Sequence, residues 1–517
     1  MTKQTFIRGT FMLIIAGMIT RLLGFINRIV LARLMGEEGV GLYMMALPSL
    51  FLLITLTQIG LPIAISKRVA EANAKNDPYK IKQIISLSFL IIACTSIVFT
   101  ISMFFLAPFV ANYLLTDART LYPMLFITPI IPIIAISSVI KGYFQGMQNM
   151  KPQSYAIVIE QIVRISVVFF LVKLLLPYGI EFAATGAVIS VVIGEVASCL
   201  YLLYIFKRNK IVPVRKKFFS FLKNSTTTRK QMMSIALPNT GSRLISSFAN
   251  FLEPIIVAQS LALAGYATKE ATRQYGELTG YAMPLLYLPT FITNSLSIAL
   301  IPFISEAVAH NNYPLVHNRI HQSIRISFAS GALATIVFSL FAIPILTYMY
   351  DTSNASKYII LMAPFFLFLY IQAPLQSALF GLDLAKYAMW NSLIGSTFKF
   401  ITLFLLASNA SLGMMGVAIA VSASVVLITL LHLAVLYKHI HFKLRTIDIG
   451  KMFILIGATG CAGFLLKTMF GHYTENLLAF LCILVLLTIF YIILLIVLKF
   501  ITKEELKQIP YVNKFIT

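Results

Sequence analysis

Residues 14–34 read IIAGMITRLLGFINRIVLARL, an apolar run long enough to cross a bilayer with Arg21 and Arg28 in its middle. At 3.6 residues per turn, Gly17, Arg21, Gly24 and Arg28 fall on one stripe, so both guanidinium groups share a helix face with residues that leave room beside them. An arginine at mid-bilayer depth costs about 2.5–3.5 kcal/mol on insertion scales, and such residues almost always turn to a protein interior or a wet cavity. The stretch therefore predicts a transmembrane helix whose arginine face lines an anion site.

The rest of the chain agrees with a membrane setting. Its 517 residues are 59% hydrophobic and 11% charged, with a mean hydropathy of +0.88, which excludes a soluble domain of this length. With about 20 apolar residues per span, fourteen helices are predicted, over 10–33, 41–66, 83–109, 121–145, 153–176, 183–206, 232–263, 278–305, 324–349, 358–380, 387–408, 411–437, 449–470 and 476–500. The two basic residues Lys3 and Arg8 precede a run with no small-residue cleavage site after it, so the first helix is expected to stay in the mature chain.

The net charge of +23 would suggest nucleic acid in a soluble protein, but here the cations gather between apolar spans. With the N-terminus inside, 29 of the 41 Lys and Arg fall in the tails and inner connections, seven at the outer ends and five within spans (Arg21, Arg28, Arg164, Arg243, Lys399). That bias places both termini in the cytoplasm of a multi-pass cell-membrane protein, and a missed helix would have inverted it for every later loop.

The longest connection, 207–230, carries nine Lys and Arg and no acidic residue, and is read as a linker facing lipid headgroups. Across it the chain repeats weakly. FQGMQNMKPQSYAIVIEQIVRISVVFFL (144–171) lies over LFGLDLAKYAMWNSLIGSTFKFITLFLL (379–406), so that Gly146 meets Gly381, Lys151 meets Lys386 and Arg164 meets Lys399. A second echo pairs Ser66, Val69 and Ala70 with Ser305, Val308 and Ala309. The expected architecture is all-α: two pseudo-symmetric six-helix lobes, 1–206 and 231–437, around a central cavity, with two extra helices and a cytoplasmic tail over 438–517.

Other polar residues fall within the spans. Arg243, Ser246, Ser247, Asn250 and Glu253 share a broad face of the seventh helix, where Arg243 and Glu253 stand about 15 Å apart, too far to pair directly. Glu160 and Arg164 are spaced i, i+4, which suits a helix-packing ion pair. Glu195 is a lone intramembrane carboxyl, open to two readings: a proton or sodium site, or a neutral hydrogen-bonded group. Glu160, Glu195 and Glu253 are the candidate coupling groups. Prolines 48, 62, 129, 132, 284, 289 and 302 predict broken helices, and Gly142–Gly146 fits a GxxxG packing motif. The four cysteines read as core residues and His317 and His321 as a solvated face, so no metal site is expected. No phosphate-cradling loop, nucleophile motif or dinucleotide fingerprint occurs, so neither an enzyme nor a cofactor is expected.

Residues 8–72 and 119–152 resemble the multidrug/oligosaccharidyl-lipid/polysaccharide exporter superfamily, which includes the lipid II flippases and polysaccharide-lipid flippases. The resemblance is densest in the first 200 residues. It implies two six-helix lobes about a cavity, a groove for the polyprenyl tail on the last two helices, and movement of an undecaprenyl-diphosphate-linked precursor for spore cortex peptidoglycan. It also implies lipid-linked oligosaccharide, membrane lipids and cell-wall synthases as partners, and no nucleic acid. The flippase pattern of Arg, Leu-Gly-Phe and a second Arg is met by Arg21, Gly24 and Phe25, but the second position is Asn27 and the arginine moves to Arg28. Arginines usual after the proline of the second helix are replaced by Ser49, Leu50 and Phe51, and a charged cluster usual in the eighth by Ala282, Met283 and Pro284. The diphosphate ligands expected are then Arg21, Arg28, Arg243, Asn27, Arg164 and Lys399. Rival readings are a cation-coupled drug exporter of the same superfamily, a membrane glycosyltransferase or ligase, and a structural recruiter of cortex-synthesis enzymes.

Overall fold

The computed structural model describes residues 3–208, 226–471 and 476–500, with side chains from Gly17 onward except at 238, 239, 242 and 299. The centre of the basic linker and the C-terminal tail lie outside the described residues.

Among the described residues there is no strand. The helices are α1 (Lys3–Gln58), α2 (Leu61–Ala74), α3 (Pro78–Phe109), α4 (Leu121–Ile127), α5 (Ile130–Gly146), α6 (Lys151–Leu175), α7 (Ile180–Arg208), α8 (Thr226–Leu263) and α9 (Thr268–Gly276). They continue with α10 (Met283–Leu286), α11 (Thr290–Ala309), α12 (Tyr313–Tyr350), α13 (Ser356–Gly381), α14 (Ala385–Ala407), α15 (Met414–Ile440), α16 (Thr446–Phe470) and α17 (Leu477–Val497).

Among the described residues thirteen stretches are long and apolar enough to cross a membrane, the first being the 58 residues Gly17–Ala74. As one helix these would extend about 87 Å, nearly three times the hydrocarbon thickness. The run is broken at Gly36, whose φ of 66° and ψ of −175° are non-helical and suit glycine. Two of the fourteen expected spans lie on either side of that break.

The proline expectation holds where proline meets a turn. Pro62 follows the left-handed pair Ile59 and Gly60 that ends α1. Pro129 caps α5 after the break from α4, and a π-turn over Glu277–Ala282 with a short α10 precedes Pro289 and α11. Pro48 and Pro302 instead ride inside continuous helices.

By contacts the chain forms two compact units, Met1–Gly276 and Glu277–Thr517. The expected lobes are a division by repeat; the units are a division by packing, and α8 and α9 go with the helices before them. In the first unit Gly60 lies so close to α8 that a Cβ there would sit 2.5 Å from the Ala236 carbonyl oxygen. Arg68 donates to the Gln231 carbonyl, while the Lys80 ammonium donates to the Thr228 hydroxyl, which donates to Gln83.

Each unit brings its repeated segments together in the same way. In the first, α5 lies on α2 with Gly142 and Gly146 against the backbone; a Cβ at Gly146 would meet the Ser66 carbonyl oxygen at 2.7 Å. In the second, α13 lies on α11 with Gly381 there, and Ser305, the counterpart of Ser66, donates to the Gly381 carbonyl at 3.2 Å. Lipid gives helices little hydrophobic reason to associate, so close approach over small residues is what such a contact needs. Around these pairs pack Ile65, Val69, Ile84, Val139 and Tyr143 in one unit and Ile304, Ile320, Leu375 and Leu379 in the other.

Candidate functional site

On α1 the side chains of Arg21 and Arg28 are exposed, and nothing lies within 4 Å of a Cβ placed at Gly17 or Gly24. The stripe is open, as its glycines suggested. Asn27, turned about 100° from Arg28, is only 6% exposed, and its Oδ1 has no hydrogen-bond partner among the described residues. The one-residue shift of the arginine thus moves the charge off the packed side of the helix. Arg28 is within electrostatic reach of the buried Tyr43 hydroxyl on the later part of α1, and so is Arg164 of α6.

α8 meets α1 through a Ser247–Thr55 hydroxyl pair at 2.8 Å. Its Arg243, Ser246 and Asn250 remain exposed, while Glu253 is half-buried and within electrostatic reach of Tyr275.

A chain of ionisable groups runs through α5, α6 and α7. Arg164 Nη2 donates to Glu160 Oε1 at 2.5 Å, the ion pair expected from the i, i+4 spacing. Glu195 is not a lone carboxyl: Lys141 Nζ lies 3.7 Å from its Oε1, and its carboxyl group is within electrostatic reach of Glu160. Gly194 makes the approach possible, since a Cβ there would stand 2.9 Å from the Glu160 carbonyl oxygen. The sequence reading missed Lys141 by counting it with the inner loop. The signal was present in Ser137 and Lys141, one helical turn apart on α5.

In the second unit Lys399 of α14 is half-buried, its ammonium 5.1 Å from the centre of the Phe400 ring. The structure adds two polar pairs there. Asn391 Nδ2 lies 2.9 Å from His432 Nδ1, leaving His432 Nε2 without a partner among the described residues. Glu277, 1% exposed, has Lys357 Nζ 3.4 Å from its Oε2.

A further cluster joins the break after Gly36 to α9. Asp117, 2% exposed, accepts from Arg119 Nε and Nη2 at 2.9 and 2.8 Å and from the Thr272 hydroxyl at 2.7 Å. Arg119 also pairs with Glu38, which lies 3.7 Å from Lys269 Nζ. Backbones touch beside it: a Cβ at Gly41 would be 2.1 Å from the Thr272 carbonyl oxygen, and one at Gly276 would be 2.0 Å from that of Glu37.

Two smaller readings change. Only Cys199 is buried; Cys94, Cys461 and Cys482 lie exposed within apolar helices. His317 and His321 are not a solvated face: His317 Nε2 meets the Ile440 carbonyl at 2.9 Å, and His321 Nδ1 lies 3.9 Å from Asp448, with Phe442 packed against both rings. Among the described residues no group of three or more metal-binding side chains assembles.

Comparison with known proteins bears on what these residues serve. Residues 6–308 match a family described as polysaccharide biosynthesis protein, and 278–405 match MatE. The chain is 49% identical over 516 residues to stage V sporulation protein B of Bacillus subtilis (strain 168), covering 100% of both chains. It is 23% identical over 421 residues to the lipid II flippase MurJ of the same organism, covering 76% of each. Among solved structures, a lipid II flippase MurJ in an inward closed conformation aligns with a TM-score of 0.67 at 16% identity, covering 94% of this chain and 100% of that one. The likeness establishes the transporter fold.

Proposed function

The chain belongs to the polysaccharide biosynthesis protein family, and from that premise we propose that it is a flippase that moves an undecaprenyl-diphosphate-linked peptidoglycan precursor, lipid II, from the inner to the outer leaflet for spore cortex and cell-wall synthesis. The observation that carries this reading is the open arginine stripe of α1: two cations on an apolar helix, exposed, with glycines leaving space beside them. A lipid-linked diphosphate needs a strong, weakly hydrated donor that binds phosphate bidentately, which is what a guanidinium provides. Arg21 holds the diphosphate in this reading, with Arg28 and Arg243 as helpers. Asn27, Arg164 and Lys399 are lesser ligands, and Arg164 has first to leave Glu160.

No covalent step is required. Alternating access of the two lobes carries the headgroup, and with both termini cytoplasmic the membrane potential assists. Each negative charge moved outward gains roughly 2.3 kcal/mol per 100 mV of inside-negative potential.

The deciding experiment exposes cells that depend on this protein to an impermeant reagent that modifies only outward-facing lipid II. Wild type should expose the lipid and Arg21→Ala, at equal expression, should retain it inside; exposure that persists without the protein would end the flippase reading. The MatE match over 278–405 favours a second reading, cation-coupled drug export. There Glu160, Glu195 and Glu253 would carry the coupling and Arg21→Ala would leave drug resistance intact.

A further inference from the structure

Glu160 and Glu195 are brought side by side from two different helices inside the first unit. Their surroundings differ from those of an ordinary packing ion pair. Glu195 is 4% exposed and its Oε1 has no hydrogen-bond donor among the described residues, Lys141 standing off at 3.7 Å. Glu160 already receives Arg164, yet its carboxyl group also reaches Glu195. The Ser137 hydroxyl, likewise buried and unpartnered, approaches Cys199 on the same side.

The charged and titratable groups facing the pair are Lys141 from α5, Arg164 from α6 and Cys199 from α7, with Arg28 and Tyr43 of α1 beyond Arg164. Two neighbouring carboxylates in a medium of low dielectric repel one another strongly, and a single proton between them turns repulsion into a hydrogen bond.

We propose that Glu160 and Glu195 form a proton-binding site whose proton is exchanged during the transport cycle. Loaded, one carboxyl O–H donates to the other carboxylate. Unloaded, that proton has passed to water, and each carboxylate stands opposite its own cation, Glu160 with Arg164 and Glu195 with Lys141. The Lys141 side chain, 24% exposed, gives the buried oxygen a route to solvent. Gly194 holds α6 and α7 close enough for the shared hydrogen bond, so movement between these helices would release the proton.

The site itself stands without the flippase reading; only its exchange in the cycle rests on it, and the tests separate the two. Full-length protein in lipid nanodiscs, titrated with pH and followed by infrared difference spectroscopy, should show one protonated-carboxyl C=O band. The band should vanish in Glu195→Gln and equally in Glu160→Gln, because either change leaves a single carboxylate with a cation beside it. Glu160→Gln serves as the independent variant should Glu195→Gln not fold. Absence of the band in wild type, or its survival in both variants, overturns the site.

In proteoliposomes carrying lipid II at zero voltage, each pH unit across the membrane should shift the leaflet ratio by about tenfold, the equivalent of one proton, and both variants should abolish the shift. A leaflet ratio indifferent to pH, with the band present, overturns the exchange. Failure to move lipid II under any condition refutes the flippase reading while the spectra still decide the proton site.

Discussion

Asp117, in the turn before α4, is a structural charge. Its carboxylate satisfies two guanidinium nitrogens and a threonine hydroxyl while almost wholly buried. Removing it takes the acceptor from Thr272 and leaves Arg119 with Glu38 alone, so Asp117→Ala should destabilise the protein by about 3 kcal/mol, in line with breaking a buried pair. Thr272→Val, which removes one hydrogen bond, should cost about 1 kcal/mol. Denaturant unfolding in detergent, compared with wild type, checks both; equal effects would mean that the charge pairing adds nothing. Asn27 behaves otherwise. It is buried with its Oδ1 unpartnered, so Asn27→Leu should leave stability within about 1 kcal/mol of wild type, and a larger loss in the same unfolding series would reveal a bond that the static geometry lacks.

At the scale of elements, contacts over glycine carry the fold. α9 lies on α1 with Gly41 and Gly276 at positions where any Cβ would overlap backbone. Gly276→Ala should therefore lift α9 off α1, and amide hydrogen exchange along Thr268–Gly276 should rise toward that of a frayed segment. Unchanged protection would show that the backbone gives way at little cost. Gly36 differs, with open space around it but a φ of 66°. Gly36→Ala meets no neighbour but forces a Cβ into a backbone region that favours glycine, and this strain should cost about 1–3 kcal/mol, which thermal unfolding measures. The expected repeat is legible at this scale because the residues that align across the chain, Ser66 and Gly146 with Ser305 and Gly381, are the ones in contact in each unit.

For the whole molecule, the apolar composition and the 13 candidate spans make a multi-pass helical membrane protein of the transporter fold. If both termini lie in the cytoplasm, as the charge bias of the loops leads one to expect, single cysteines placed near either end should resist an impermeant thiol reagent in intact cells. Labelling of one end alone would require an odd number of spans. If the voltage argument holds, collapsing the potential with valinomycin and external potassium should reduce outward exposure of lipid II. Exposure unaffected by voltage would leave a chemical gradient as the driving force.

The sequence by itself determined the helical membrane class, the approximate spans, the repeat and the arginine stripe of α1. Each of these depends on local order: an apolar length, a period of 3.6, a proline or glycine at a break. It did not determine which charges meet. Glu195 with Lys141 and Glu160, Asp117 with Thr272, and Asn391 with His432 join residues from different elements, and helix periodicity fixes the face of a helical residue but not the neighbour turned toward it. The two spans held within Gly17–Ala74 were separable in sequence because charge and glycine interrupt the run. The grouping of α8 and α9 with the first unit was decided only by tertiary structure, through glycine contacts whose partners lie some 170 to 240 residues away.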